Sequence, residues 1–431
     1  KPYVTRMINV ERKILWPSVV RWYAKSSGTT NDKSKFLPVT PEILKGCHYK
    51  GGFDTVSIFL QNNPDCHFFA SKVLILGGSH SPSPLNRNAH CGDLSAVLLQ
   101  NLNPLVNLIR VPDKKIILMD EWESKIKAIV ESTWKTDVNS LSGVPSWMLV
   151  LIKAVLQKTG SEYLTDVWPN MEVFFHGGIS FEPYRDQYKA LIPSDRMHYM
   201  ETYNASEGFF GLQDNPEEHS LLLMIDYSVF YEFIPINEVG EEHPTVLPLE
   251  AVEVGKNYAM VITTSGGLWR YQIGDTVRFT SLYPHKFVIS GRTKNFINAF
   301  GEELMVDNAD KAISRVCRQT GAKVKEYTAA PLFMLDKAKG RHQWMIEFEK
   351  MPPSLDDFAS LLDKTLQQLN SDYEAKRYKE ISLQPLEIRV AREGTFYEWL
   401  RRKGKLGGQH KIPRLSNDRT FIEELGKICD L

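Results

Sequence analysis

The sequence predicts an α/β protein: a large N-terminal α/β domain with additional β-strands, followed by a smaller α+β C-terminal domain. Three observations carry this. Over roughly the first half, short apolar runs bounded by turn residues alternate with segments of helical period, the pattern of a largely parallel sheet with helices between its strands. From 220 to 290 apolar or alternating runs follow one another without helices, as in antiparallel strands or a small barrel. After Gly291 the pattern changes again, to helix, strand, strand, helix and strand.

In the first part, helices are expected at 41–59, at 121–134 after Asp120, and at 145–158, closed by Gly160. The first has Thr40 as N-cap and Pro41 at its first helical position, with a break at Gly51-Gly52. The apolar runs 73–76, 116–119 and 173–175 read as strands buried on both faces. In the second part, strands are expected at 221–225, 230–235, 258–263, 277–280 and 286–289. In the third come a helix at 307–319, strands at 326–335 and 342–349, a helix at 355–369 and a strand at 382–390. The Gly-Arg turn near 290–298 marks the boundary, giving domains 1–290 and 299–431 joined by a hinge at 291–298.

At 431 residues the chain has room for two to three domains, and 42% hydrophobic with 24% charged residues is ordinary globular composition. Lys+Arg and Asp+Glu both number 52, so net charge favours neither nucleic acid nor an anionic membrane as partner. No apolar run approaches the roughly 18 residues of a membrane span; the richest, 147–156, is broken by Lys153. No signal-peptide pattern follows Lys1, and a start other than Met reads as a fragment lacking its natural beginning. Five scattered cysteines, an odd number in a chain too large to need disulfides, point to a reducing, cytoplasmic setting. The adjacent pairs Cys47-His48, Cys66-His67 and His90-Cys91 lack the two-to-four-residue gap of zinc ligands.

Four segments carry chemistry. Ser26-Ser27-Gly28-Thr29-Thr30 and the following Asn31-Asp32-Lys33-Ser34-Lys35 offer hydroxyls, one permissive glycine and two lysines, a set able to cradle a phosphate but lacking the Walker spacing; a polar surface loop has the same composition. Glu201-Thr202-Tyr203-Asn204-Ala205-Ser206-Glu207-Gly208 follows a strand-like run and places a carboxylate where magnesium, which takes one or two carboxylates plus substrate phosphates, can bind. A Glu207 held in an ordinary ion pair gives the same pattern. Arg270-Tyr271-Gln272-Ile273-Gly274-Asp275 puts an acid after a glycine turn, suited to ribose hydroxyls or simply to a hairpin. Gly407-Gly408-Gln409-His410-Lys411-Ile412-Pro413-Arg414 sets a lysine on a glycine-flanked loop, able to swing into a site or to stay solvated.

In this order the segments resemble the acyl-acid amido synthetases of the auxin-responsive Gretchen Hagen family, within the adenylate-forming enzymes. Ser26-Ser27-Gly28-Thr29-Thr30 looks like the family's phosphate-binding motif, Tyr203 to Gly208 like its second motif, Arg270 to Asp275 like its third, and Gln409 to Arg414 like its C-terminal lysine loop. Gly291-Arg292-Thr293-Lys294-Asn295-Phe296-Ile297 resembles the interdomain hinge. The resemblance covers nearly the whole chain. It implies a ligase that uses ATP and Mg2+ to adenylate a carboxylic acid and then passes the acyl group to an amino acid. A ligase forming a coenzyme A thioester and a noncatalytic nucleotide binder are the alternatives.

By position, the resemblance implies that Ser26, Ser27, Gly28, Thr29 and Thr30 hold the ATP phosphates and that Gly177 and Gly178 lie along the adenosine. Thr202 would reach the α-phosphate or acyl carboxylate, Tyr203 flank the adenine, Asp275 hold the ribose and Glu207 bind magnesium. Lys411 would stabilise the adenylation transition state, and Lys294 with its neighbours would let a mobile C-terminal domain rotate. The helix around Pro145 to Leu151, with Trp147, and the strand ends near Gly77 and Phe175 would form the acyl pocket. The family pattern is departed from at Asn298-Ala299-Phe300-Gly301-Glu302-Glu303-Leu304, closer to the glycine-glutamate turn of general adenylate-forming enzymes, and in a shorter segment before the first motif.

Overall fold

The computed structural model describes residues 2–9, 11–26, 35–78, 83–182, 184–293, 295–297, 299–300, 302, 304–333, 340–377, 383–406 and 412–430. A twelve-stranded sheet forms the body of the N-terminal part. At one end lie five parallel strands in the spatial order Arg110–Val111, Lys72–Ile75, Val138–Gly143, Val173–Gly177 and His198–Ala205. The chain then reverses through Ser206-Glu207, and the sheet continues antiparallel with Gly208–Leu212, Leu221–Leu223, His285–Arg292, Tyr271–Leu282, Asn257–Thr264, Val229–Pro235 and Leu247–Pro248. The strands expected between 220 and 290 therefore extend the parallel sheet and do not form a separate barrel.

Helices cover this sheet where the apolar periodicity places them. Pro145–Thr159 begins on a proline and ends at Gly160, whose φ of 71° is the left-handed conformation that caps a helix without a Cβ penalty. Trp122–Thr133 is capped by Glu121, one residue later than expected, whose carboxylate accepts the N–H groups of Glu123 at 2.9 Å and Ser124 at 2.7 Å. Thr40 caps Pro41–Ile43 through the N–H of Ile43 at 3.1 Å.

Two expectations fail here. The helix does not break at Gly51-Gly52 but passes through a wider π-type turn, Leu44–Tyr49, and runs on as Lys50–Asn62. Gly51 serves close packing instead, because any Cβ there would strike the ring of Phe209. The run 116–119 is not a strand: Lys114–Ile117 is one helical turn burying Ile117, and Arg110–Val111 takes the sheet edge until Pro112, which has no N–H for a ladder. A short apolar run fits either state.

A four-stranded sheet, Lys35–Val39, Trp22–Ser26, Ala89–Gly92 and Ser83–Asn86, packs beside the main one. The C-terminal part is a three-stranded sheet of Lys323–Phe333, Gly340–Lys350 and Glu387–Ala391, whose last strand starts later than expected. Strand alternation splits its faces. Tyr327, Ala329, Trp344 and Ile346 pack on the helices Val306–Thr320 and Leu355–Leu369. Ala330, Met345 and Ala391 join a core with the helices Thr395–Arg402 and Thr420–Cys429. That second core is continuous with the one beneath Trp122–Thr133 and Pro145–Thr159, and bonds from Tyr397 to Glu123 at 3.2 Å and from Lys153 to Glu349 at 3.1 Å line the junction. Among the described residues no helix is long and apolar enough to cross a membrane, and all five cysteines are free.

Candidate functional site

Parallel strands leave their backbones and loops splayed at their carboxyl ends, where open α/β sheets bind ligands. Here the ends of Val138–Gly143, Val173–Gly177 and His198–Ala205 open into a cleft of about 2260 Å³ that the C-terminal part closes from above. Gly177, Gly178, Thr202, Tyr203, Glu207 and Asp275 all line it. The structure thus brings together the sequence-predicted residues of three separate segments.

Each is positioned by a local cause. Gly177 ends its strand against its parallel neighbour so closely that a Cβ would meet the Thr202 carbonyl, and the Thr202 hydroxyl donates to the His176 carbonyl at 3.2 Å. Gly178 turns away with φ of 84°, a conformation that favours glycine. Tyr203 is buried, and its hydroxyl donates to Asp275 Oδ2 at 2.6 Å; Arg292 Nε holds Oδ1 of the same carboxylate at 2.7 Å. A carboxylate offers about four lone-pair directions, so Asp275 retains capacity towards the cleft.

Glu207 sits in the turn between His198–Ala205 and Gly208–Leu212, and it lines the cleft together with Tyr271. Burial first, and the Asp275 charge second, push its carboxyl up to about 7; Arg292 and Lys35 oppose them. A carboxyl in that condition is paid back by a cation, and magnesium completed by phosphate oxygens fits one protein carboxylate.

Ser26 ends a strand paired antiparallel with Lys35–Val39, Ser26 opposite Lys35, and Lys35 reaches the cleft beside Tyr271, 5.8 Å from its ring. Ser27, Gly28, Thr29 and Thr30 lie outside the described residues, as do Lys294, Asn298, Gly301, Glu303 and Lys411. Ile412 and Arg414, just after Lys411, line the same cleft, and Arg414 forms an ion pair with Glu326 at 2.8 Å and donates to the Tyr184 hydroxyl at 3.1 Å.

The apolar half of the cleft has Gly77, Phe175, Trp147, Leu149 and Val150 in its wall, with Trp147 set edge-on to Trp122 at 4.7 Å. Beneath the Gly77-Gly78 wall the fully buried Lys125 donates to both of their carbonyls, at 3.1 Å to Gly77, and burial pushes its amine down to about 8. Sequence reasoning assigned no role to Lys125, Tyr271 or Arg292, although the last two sit inside recognised motifs. Their importance lies in partners far along the chain.

Models of the GH3 family N-terminal, central and C-terminal domains match residues 1–197, 222–292 and 307–420. The chain is 30% identical, over a 432-residue alignment, to the indole-3-acetic acid-amido synthetase GH3.4 of Arabidopsis thaliana, spanning 91% of this chain and 68% of that relative. Two further curated relatives are spanned over 46% of their length. The solved GH3.15 acyl acid amido synthetase shares the fold at a TM-score of 0.76 and 19% identity, covering 100% of this chain and 84% of that one. A 2-hydroxyisobutyryl-CoA ligase in the postadenylation state shares it at 0.56 and 11% identity, covering 95% and 76%. With three domain matches in order along the sequence, the chain belongs to the GH3 family, the family of the amido synthetases just named.

Proposed function

We propose that this chain is an acyl-acid amido synthetase: it adenylates a carboxylic acid with ATP and Mg2+ and transfers the acyl group to an amino acid, releasing AMP. The observation that carries this is the convergence on one cleft of Gly177-Gly178, Thr202 and Asp275 from three strands and of Glu207 from the turn that follows Thr202's strand, a cleft which Ile412 and Arg414 of the lysine loop also reach. Five free cysteines fit work in a reducing cytoplasm.

A carboxylate acylates poorly because oxide is its leaving group. Attack of its oxygen on the α-phosphorus of ATP, with loss of pyrophosphate, replaces oxide with AMP. Such a step is governed by placement and charge. In this reading Asp275, fixed by Tyr203 and Arg292, orients the ribose, while the close Gly177 backbone lets the adenosine lie against the strand end. Thr202 donates to the α-phosphate or the acid, and the Ser26 to Thr30 segment and Lys411 surround the phosphates. Mg2+ at Glu207 would supply charge neutralisation for the departing pyrophosphate. The wall formed by Gly77, Phe175 and Trp147 takes the apolar body of the acid. Residues 299–431 rotate about 291–298 between the two half-reactions.

The test is pyrophosphate release from ATP and Mg2+ across a panel of aryl, indolyl and aliphatic acids, with hydroxylamine to trap an acyl-adenylate. Hydroxamate that depends on one acid class is expected. ATP binding without hydroxamate from any acid would contradict the reading.

A further inference from the structure

The cleft has a second polar wall that adenylation leaves unused, where the N-terminal sheet faces the helix Val306–Thr320. Its charged side chains are mostly engaged. Glu182 accepts from Arg185 Nε at 3.2 Å and lies 3.4 Å from Arg318 Nη1. Asp307 is held by Arg278 and Lys311, each at 3.0 Å. Among the described residues Arg315 and Glu201 are the exceptions: Arg315 is exposed on that helix, and Glu201 lines the cleft next to Thr202 with a carboxyl that makes no hydrogen bond or ion pair, while its backbone N–H donates to Gln213 Oε1 at 3.1 Å and its carbonyl accepts the Gln213 N–H at 2.9 Å. Arg185 lines the same wall, fixed over Phe181 at 5.0 Å, with its Nη2 3.5 Å from His219. Of the five N–H donors of a guanidinium, these contacts leave some for a ligand.

We infer that Glu201 and Arg185 form the acceptor subsite, Glu201 taking the proton from the incoming ammonium and Arg185 holding the carboxylate of the same amino acid. The inference rests on the amido-synthetase reading. An unengaged carboxyl and an anchored guanidinium in one wall match a zwitterion, which carries its two opposite charges a few ångströms apart. Coenzyme A, a polyanion, has no cation to offer Glu201.

The reaction balances. The ammonium gives one proton to the Glu201 carboxylate, and the freed nitrogen lone pair forms the C–N bond with the acyl carbon. The C–O bond to phosphate breaks, AMP leaves with that electron pair, and the second proton passes from the nitrogen of the tetrahedral adduct to water. A base for this task works best with a pKa near the working pH. Burial first, with Asp307 and Glu182 adding to it and Arg185 opposing, pushes the Glu201 carboxyl up to about 7.

Hydroxylamine separates this step from adenylation, because it is uncharged at neutral pH and needs no base. With the acid identified from the panel, wild type, Glu201→Gln and Arg185→Met would be compared using hydroxylamine and each of the twenty amino acids as acceptor. Expected are near wild-type hydroxamate formation by both variants, a loss of at least about 100-fold in amide formation by Glu201→Gln, and a raised amino acid KM in Arg185→Met. Wild-type amide formation should also rise with pH through about 7, a limb absent from Glu201→Gln. Wild-type amide rates in Glu201→Gln, equal loss with both acceptors, or hydroxamate with no amide from any amino acid would each overturn the inference. Absence of hydroxamate from wild type would instead overturn the adenylation reading.

Discussion

The Tyr203 hydroxyl donates to Asp275 at 2.6 Å across the cleft floor, joining residues 72 positions apart. Tyr203 lies in the strand that leads to Glu207, and Asp275 in the antiparallel strand that carries the third motif. The bond fixes the carboxylate from one side while Arg292 fixes it from the other.

Tyr203→Phe removes that donor and leaves a buried acceptor of a charged group short of a partner, at a cost of about 1–3 kcal/mol. The expected outcome is a lower denaturation midpoint together with a raised KM for ATP. Both are read directly, by urea titration and by pyrophosphate release at varied ATP.

Gly177→Ala forces a Cβ against the Thr202 carbonyl, backbone against backbone, so the strand end must move. Overpacking of this kind costs about 1–3 kcal/mol. The variant should fold but lose most of its adenylation rate, and a variant with unimpaired hydroxamate formation would show that this close approach does not matter to the nucleotide.

Two buried histidines contribute to the acid limb of stability. Burial, with Arg185 adding to it, pushes His176 down to about 3, and burial pushes His48 down to about 4 against the opposing bond from Asn204. Above the ordinary value of about 6.5 both states are neutral and pH has no effect through these groups. As pH falls below it, the unfolded chain takes up protons that the folded chain refuses, so stability drops by about 1.4 kcal/mol per pH unit per histidine until the folded group titrates. Among the described residues His176 Nδ1 has no hydrogen-bond partner, and its ring stacks on Phe181 at 4.2 Å, so His176→Phe can keep the packing. Unfolding titrations between pH 8 and 4 should show the two proteins diverging below pH 6.5, the variant losing less; parallel curves would contradict this assignment.

Lys411→Ala should abolish adenylation while sparing ATP binding, since the lysine is assigned to charge that develops only in the transition state. Equilibrium nucleotide binding and hydroxamate formation measured on one preparation separate the two. Unchanged turnover would remove Lys411 from the mechanism.

What could be read from the sequence was local. Thr40-Pro41, Gly160 and the apolar period marked helix ends because capping and periodicity act within a few residues. The Tyr203 to Gly208 and Arg270 to Asp275 segments were recognisable because each keeps its residues adjacent. The central strand Val138–Gly143 went unread because its polar composition, with Asn139 and Ser140 buried, is satisfied only by neighbours such as His67 and Phe68, whose carbonyls accept from Asn139. The run 116–119 misled because four apolar residues fit a helical turn as well as a strand. Glu201 stood in plain view just before the second motif, but only the fold puts it in one cleft with Arg185 and Asp307. Pairings set by tertiary contact leave no periodic trace in the chain.

The account turns on the fate of the acyl group. The most direct measurement offers the accepted acid, ATP and Mg2+ together with amino acids and coenzyme A in one reaction, and quantifies amide, thioester and AMP by mass spectrometry. An N-acyl amino acid formed in step with AMP, with no thioester, is the predicted result; acyl-coenzyme A formed in step with AMP, with no amide, would contradict it.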